Sequence, residues 1–568
     1  MSDSSAISRP SGDLLERLPA WLRGLLLTSA SLFIFFFLIP NIPLWSSDEG
    51  RFAEIAREML QIRDFIVPQF NYVDYLEKPV MAAWTTAGFF AVFGISSLTA
   101  RLTSILAALA GVWLCRRFAR KYFGARVADT TVLILLSSIG FVVVGRFAVI
   151  DMLMTLILSA TMFSLFAGYQ EKNRKYYLLA YVLMGLGFLT KGLIAMILPG
   201  LIFGSFLLWA GDLKEIRRMH VGWGLLIIAA IITPWMSAIM HREPDFFYEF
   251  IIKHHFKRFA TEKFGRVRPV WFFAPILLGM WFPWSLFLPS AALRGLRRPA
   301  PEALKIKFLI CWTAVIFIFF SIPSSKLPYY LVPLSMPLAM LTAVFFSEKE
   351  GLKDGKLLQG AWSLALFACC ALPIGMNGYL LSGFARKAEA VALVPLIQIF
   401  SWPLLALAVW GILSYRRGQT QKAFAALVLY LYVGLIGTAA AMLWISPHQS
   451  TYDFAQFLKT RLQPGDHVAI MASPDHYSDL PFHLRQRIVV VGGNRGTLGP
   501  QSNKPDHLEE SRAWFWDDDV FARKFNGRGE RIYLLLKKKK IGDLNSIGIS
   551  EYKVLKTGGG KILVSNEP

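Results

Sequence analysis

Between residues 22 and 445 the chain returns repeatedly to stretches apolar enough to cross a bilayer. A spanning helix needs about 20 mostly apolar residues. Thirteen such stretches can be drawn: 22–43, 98–115, 128–145, 150–169, 176–190, 193–210, 222–240, 271–290, 307–322, 329–346, 358–380, 394–414 and 423–445. With 55% hydrophobic and 17% charged residues in 568, the chain is a polytopic membrane protein, because a soluble fold would have no water-facing side on these runs. Arg17 and Arg23 precede the apolar Leu25–Pro40 as in a signal peptide, but no small-residue cleavage site follows, so this is a retained first span after a cytoplasmic segment 1–21. A fourteenth apolar run, 79–94, is short for a span and suits a helix lying at the interface.

Charge decides between the two counts. With 79–94 left out, the short loops 116–126, 172–175, 212–220, 294–307, 348–356 and 416–422 share one side and hold 22 Lys/Arg. The short loops opposite, near 146, 191, 326 and 381–393, hold five. That positive-inside bias carries the N-terminus inside and the C-terminus outside. The net charge of +22 is therefore topological and does not point to nucleic acid. Cys115, Cys311, Cys369 and Cys370 fall in or at the ends of apolar runs, with no metal or disulfide spacing, and read as small core residues.

The outer side then collects Asp48, Glu49, Glu77, Lys78, Asp151, Lys191, His254, His255 and Lys326 from distant segments. Charge beside lipid is costly and persists where it does chemistry, so this one-sided gathering marks a candidate active site. In the first outer loop, 44–97, Ser46 and Glu49 have capping-box spacing ahead of an amphipathic helix, on which Asp48 and Arg51 share a face. The same first-turn acids would also complement a helix dipole. Farther along, Tyr72-Val-Asp-Tyr-Leu-Glu-Lys-Pro brings Tyr75, Glu77 and Lys78 to the mouth of 79–94, with Pro79 suited to the first helical position. Lys78 can pair with a lipid phosphate as a compact charge, or snorkel beside its Glu77 counter-charge. Lys191 and Lys326, each at a break between apolar runs, are phosphate candidates or interfacial anchors.

The long outer loop 241–270 carries Arg242, Lys253, Lys257, Arg258, Lys263, Arg266 and Arg268 on the side that should be poor in such charge. A basic segment at an interface is what a phosphate-bearing lipid requires. Of His254 and His255, helical geometry lets one face a given site; His255 with Glu77 could hold a metal. Residues 446–568 differ in composition: short apolar runs at His467–Ala472, Arg487–Val491, Arg531–Leu536 and Lys561–Val564 predict strands of a small extracytoplasmic α/β domain. The Lys537–Lys540 run reads as a solvated face. Gly492-Gly-Asn-Arg-Gly-Thr is too weak a glycine pattern for a phosphate loop.

Taken together, Asp48-Glu49-x-Arg51, Glu77-Lys78-Pro79, Arg146-x4-Asp151, Thr190-Lys191-Gly192 and Lys326-Leu327-Pro328-x-Tyr330 resemble the bacterial aminoarabinose transferase branch of the protein O-mannosyltransferase-like, GT-C fold glycosyltransferases. The resemblance is strong over roughly residues 20–345 and weak in the later spans. It implies a mostly α, polytopic GT-C fold of thirteen spans with juxtamembrane helices and a periplasmic C-terminal domain. It further implies a multi-pass inner-membrane enzyme, working as a monomer, that takes a sugar from undecaprenyl phosphate to lipid A or another envelope acceptor. By resemblance, Lys78 approaches the donor phosphate, Glu77 and a loop histidine approach a divalent metal (zinc, magnesium or manganese), and Asp48 and Asp151 line the sugar site. The residues suit that chemistry independently. A polyprenyl-phosphate sugar is already activated, so no nucleotide is required, and catalysis consists of stabilising the leaving phosphate with Lys78, Arg258, Lys191 and Lys326 and positioning the acceptor. Asp48 would be a base for a hydroxyl acceptor, whereas an anionic lipid phosphate needs none. A protein or glycan O-glycosyltransferase is the alternative within this class. A lipid-linked sugar flippase, the alternative outside it, would distribute its charges to both sides or mid-membrane, and lacks support from any internal repeat.

Overall fold

The computed structural model describes residues 18–257, 267–348, 355–381, 393–504, 508–527 and 529–567. Among these, nine helices are long and apolar enough to cross a membrane, and two bent pairs raise the number to eleven. The segments read from sequence each fall on a helix or a bent pair; the two outside these eleven are Arg174–Lys191 and the shorter Ile194–Ala210. Helix α1 spans Ala20–Phe36, and α2, Asp48–Ile62, follows as the amphipathic helix of the first loop. Strands β1, Gln69–Phe70, and β2, Val73–Asp74, form a small antiparallel hairpin that periodicity did not reveal. Next come α3, Met81–Phe93, and α4, Ser97–Phe123. Then α5, Ala125–Ser137, and α6, Ile139–Gly145, meet at a bend of 68°. Ser138 sits at that bend with extended backbone, its hydroxyl donating to the Ile134 carbonyl at 2.6 Å, so the kink has a local cause. Helices α7, Ile150–Glu171, α8, Arg174–Lys191, α9, Ile194–Ala210, and α10, Val221–Arg242, continue the bundle.

The C-terminal region is a separate layer. A six-stranded sheet contains β3, His467–Ile470; β4, Val489–Val491; β5, Phe515–Trp516; β6, Ile532–Lys537; β7, Lys553–Gly558; and β8, Lys561–Ser565. Their order is β5-β4-β3-β6-β8-β7. The four strands β3 to β6 run parallel, and β8 and β7 close the edge antiparallel. Parallel strands covered on both faces read as continuous apolar runs, as Val489-Val-Val and Ile532-Tyr-Leu-Leu-Leu do. Lys537–Lys540 are exposed, as a solvated run should be.

The sheet domain rests on α2. Ser46 donates to Asp479 Oδ1 at 2.5 Å, Asn71 and Ile488 exchange two hydrogen bonds at 2.9 and 3.0 Å, and Ser478 donates to the Ser47 carbonyl at 2.6 Å. At Gly50 the two elements are too close for a side chain: a Cβ there would meet the Asp479 backbone nitrogen at 2.3 Å. The same contacts settle the course of α3. Lys78, before it, lines a cavity with Thr497 of the sheet domain, and the Ile95 carbonyl, after it, accepts from Arg485 at 3.3 Å. α3 thus begins and ends on the side of the sheet domain and does not cross the bundle.

Candidate active site

The predicted capping box is replaced by longer-range bonds. Ser46 is taken up by Asp479, and Glu49 is buried: Arg101 donates to its two oxygens at 2.8 Å each and the Ala148 amide at 2.8 Å, while Oε2 also accepts from the Trp45 amide at 3.1 Å. Arg101 also donates to the carbonyls of Ile42, at 2.5 Å, and Pro43, at 3.0 Å. Arg146 does the same for Ile34 and Phe37. Arg146 thereby satisfies carbonyls that the end of α1 leaves unpaired, and Arg101 those of the segment that leads from α1 to α2. Glu49 and Arg146, prominent in the sequence motifs, therefore fix the frame.

Beside this frame lies a cavity of about 190 Å³. Asp48, Arg51 and Phe52 enter from α2, Tyr75, Glu77 and Lys78 from the segment leading to α3, Ile150 and Asp151 from the start of α7, and Lys191 from the end of α8. Leu327, Tyr329 and Tyr330 close it from a later loop, and Thr497 from the sheet domain. Eight of the sequence candidates are thereby brought together: Asp48, Arg51, Tyr75, Glu77, Lys78, Asp151, Lys191 and Tyr330. Pro79 does not open α3, which starts at Met81 after Val80 as its cap.

The polar contacts organise around Arg51. It pairs with Asp48 on its own helix, as the spacing predicts, and donates to Asp475 Oδ1 at 2.7 Å. Its guanidinium carbon lies 5.8 Å from the centre of the Tyr75 ring, within cation–π range. Burial alone would weaken the Arg51 charge, but Tyr75, Asp48, Asp475 and Glu77 outweigh it and raise its pKa. Burial, reinforced by Glu77, Asp48 and Asp475 against the opposing Arg51, raises that of Tyr75, so the phenol stays protonated. Asp48 Oδ2 accepts from Tyr329 at 2.7 Å, so both of its oxygens are engaged. Lys191 pairs with Asp151 at 2.5 Å and stands 4.9 Å over the Tyr330 ring. Tyr75 reaches Glu77 at 3.5 Å.

Lys326 is placed differently from the expectation that it binds phosphate. It is buried, and its ammonium donates to the carbonyls of Arg268, at 3.1 Å, and Pro323. It lies outside the cavity lining, and desolvation lowers its pKa. It braces the loop that presents Tyr329 and Tyr330. Arg258 and the side chain of His255 lie outside the described residues. Among the described residues no group of three His, Cys, Asp or Glu side chains could hold a metal ion, and Asp48 and Asp475 are committed to Arg51. The described residues alone do not form a metal set.

Three contributors escaped the sequence reading: Tyr329, Asp475 and Thr497. Asp475 and Thr497 follow the C-terminal ends of the adjacent parallel strands β3 and β4, where open α/β sheets place their ligands. Thr497 donates to Asp475 through its hydroxyl at 2.9 Å and its amide at 3.1 Å. The dismissed glycine run supplies the turn. Gly496 has φ +53°, and a Cβ there would come within 2.5 Å of Asp475 Oδ2. The run positions an acid rather than cradling a phosphate.

The chain is thus a helical membrane bundle with juxtamembrane helices and a carboxylate- and lysine-lined cavity beneath an α/β domain. Residues 77–237 match the family of dolichyl-phosphate-mannose-protein mannosyltransferases. The chain is 33% identical over 434 residues to an undecaprenyl phosphate-α-4-amino-4-deoxy-L-arabinose arabinosyl transferase of Edwardsiella ictaluri, covering 72% of this chain and 76% of that one. It is 29% identical to the protein so named from Yersinia enterocolitica, over 91% and 94% of the two chains. The crystal structure of ArnT from Cupriavidus metallidurans bound to undecaprenyl phosphate superposes with a TM-score of 0.81 at 26% identity, over 97% of this chain and 99% of that one. An archaeal oligosaccharyltransferase, 12% identical with a TM-score of 0.52 over 93% of this chain and 70% of its own, shares the fold. The chain belongs to the family of undecaprenyl phosphate-aminoarabinose arabinosyl transferases, and is a multi-pass membrane glycosyltransferase dependent on a polyprenyl-phosphate sugar.

Proposed function

We propose that the protein transfers 4-amino-4-deoxy-L-arabinose from undecaprenyl phosphate to lipid A, at the periplasmic face of the inner membrane, as a monomer. The observation that carries this is the single cavity in which Lys78 stands with Asp48, Glu77 and Asp151. The names of the relatives supply the sugar and the carrier. In the reaction the bond from the sugar's anomeric carbon to the carrier phosphate breaks and one to an acceptor oxygen forms. The carrier leaves as a phosphate, whose growing charge Lys78 stabilises. Arg258, in the outer loop, adds to this.

Asp48 bears on the acceptor. Its two oxygens are held by Arg51 and Tyr329, which suits a carboxylate that orients a sugar or its amine better than one that takes a proton. An acceptor that is already an anionic phosphate, as on lipid A, needs no base. Asp151, held by Lys191, would line the same sugar site. Glu77 and His255 would hold a divalent ion, zinc, magnesium or manganese, which would supply charge stabilisation at the phosphate. Chelation followed by elemental analysis tests this: a folded, metal-free enzyme with full activity removes the ion from the account. Mass spectrometry of lipid A from cells with and without the gene tests the function. An aminoarabinose mass increment that depends on the gene is expected; its absence, with donor present, would reject lipid A as acceptor.

A further inference from the structure

A second cavity, of about 640 Å³, shares no lining residue with the first. It opens where α1 ends, at Asn41 and Pro43, and where α4 starts, at Ser96 and Ser97. Its remaining wall comes from the sheet domain, including Lys459 and Arg485. The candidate spans Ala20–Asn41 and Ser97–Phe123 have their ends on this wall, where a chain leaving the apolar core of a bilayer meets lipid head groups.

The charge in this cavity is unbalanced. Lys459 and Arg485 line it, and among the described residues no Asp or Glu does. Both are exposed to the space they face, and burial, then the Arg485 charge, lower the pKa of Lys459, so the two cations oppose one another. The nearby Asp479 offers no relief: it accepts from Ser46 at 2.5 Å, Ser450 at 2.8 Å and Thr451 at 2.6 and 3.0 Å. His483 on the same wall is buried, which lowers its pKa despite Asp479 and keeps it neutral. Arg485 is also held in place, with a left-handed backbone at φ +62° and a hydrogen bond to the Ile95 carbonyl at 3.3 Å. A non-glycine residue in that conformation is uncommon. The 27-residue α4 starts on this wall, with its N-cap Ser96 and its first residue Ser97 lining the cavity; Ser96 is engaged in a capping box with Thr99, so the helix adds the positive end of its dipole rather than a free hydroxyl. Beside these polar groups, Val92 and Phe93 at the end of α3 are 73% and 65% exposed, an apolar surface suited to acyl chains.

We propose that this cavity holds the head-group phosphate of an anionic lipid. Lys459, Arg485 and the start of α4 supply the positive charge, and the α3 end supplies the apolar flank. The site follows from the membrane placement of the chain and does not depend on the sugar or acceptor assigned above.

Native mass spectrometry of the full-length protein in neutral detergent tests it, with phosphatidylglycerol, diacylglycerol and inorganic phosphate as probes. Wild type should retain one copy of phosphatidylglycerol. The double variant Lys459→Gln, Arg485→Gln should bind it about tenfold more weakly, with undecaprenyl phosphate binding unchanged as the control for folding. If the double variant fails that control, Lys459→Gln alone should still weaken binding severalfold. Undiminished lipid binding by a folded variant, or diacylglycerol bound equally well, would overturn the proposal. Displacement of the lipid by equimolar inorganic phosphate would overturn its lipid part and leave a simple anion site.

Discussion

Asp48 and Glu49 are adjacent on α2 and do opposite things. Glu49 meets Arg101 in a sealed pair, with side chains 1% and 0% exposed. Asp48 meets Arg51 at the cavity, with side chains 24% and 11% exposed, and through Arg51 joins Asp475. A turn of about 100° per residue sends the neighbours to different faces. One face packs on the frame around the end of α1; the other opens on the cavity. Charge gathered at one end of a membrane protein thus points to the candidate site, while the helix phase decides which charges hold the frame and which face the cavity.

Breaking the sealed pair should have the largest effect. Arg101→Ala leaves Glu49 buried without its partner, a loss of about 3–5 kcal/mol, and also strands the Ile42 and Pro43 carbonyls. The protein should fail to accumulate or melt far earlier in a thermal-shift assay. A normal melting temperature would show that this pair is not structural.

The open set should respond in turnover instead. Asp475→Asn keeps the shape but removes the charge that faces Arg51 across the domain contact, and should lower kcat about tenfold or more with donor affinity and melting temperature nearly kept. Gly496→Ala should act in the same direction, because its Cβ would displace Asp475. Equal losses in donor affinity and stability would place Asp475 with the sealed set.

A smaller effect distinguishes the middle of the same helix. Burial, then the Glu54 carboxylate, push Glu58 well above its ordinary value of 4.5. The folded state therefore holds a proton that the unfolded chain releases. The stability this gives is full below pH 4.5 and is lost as pH rises through the higher folded value. Glu58→Gln should change the melting temperature little at low pH and flatten its decline above that point. An unchanged pH profile would mean that Glu58 does not titrate in the folded state.

What the sequence discloses follows the range of the interaction. The spans and strands β3, β4, β6 and β8 are visible because burial writes an apolar run. Strand β7, Lys553-Val-Leu-Lys-Thr-Gly, is largely exposed and β5 is only two residues long, so neither leaves such a run. Six of the cavity residues named in advance, Asp48, Arg51, Glu77, Lys78, Asp151 and Lys191, stand out because they are charges at or near the ends of apolar runs, and Tyr75 and Tyr330 because they lie in the same short motifs. Asp475 and Thr497 lie in a polar domain where charge is ordinary; only when that domain seats on α2 does Asp475 meet Arg51 and Thr497 line the cavity. The fate of Lys326 was equally hidden, since its carbonyl partner at Arg268 comes from a different loop.

The contrast between Lys78 and Lys326 tests the central claim most directly. Both are lysines on the side of the sheet domain, but only Lys78 lines the cavity. Transfer and undecaprenyl phosphate binding should be measured side by side for purified, folded Lys78→Ala and Lys326→Ala. Lys78→Ala should lose at least about 10²-fold in transfer and bind the carrier more weakly, with Lys78→Arg only a partial rescue. Lys326→Ala should be less stable yet turn over in its folded fraction. Transfer at the wild-type rate by Lys78→Ala would contradict the account.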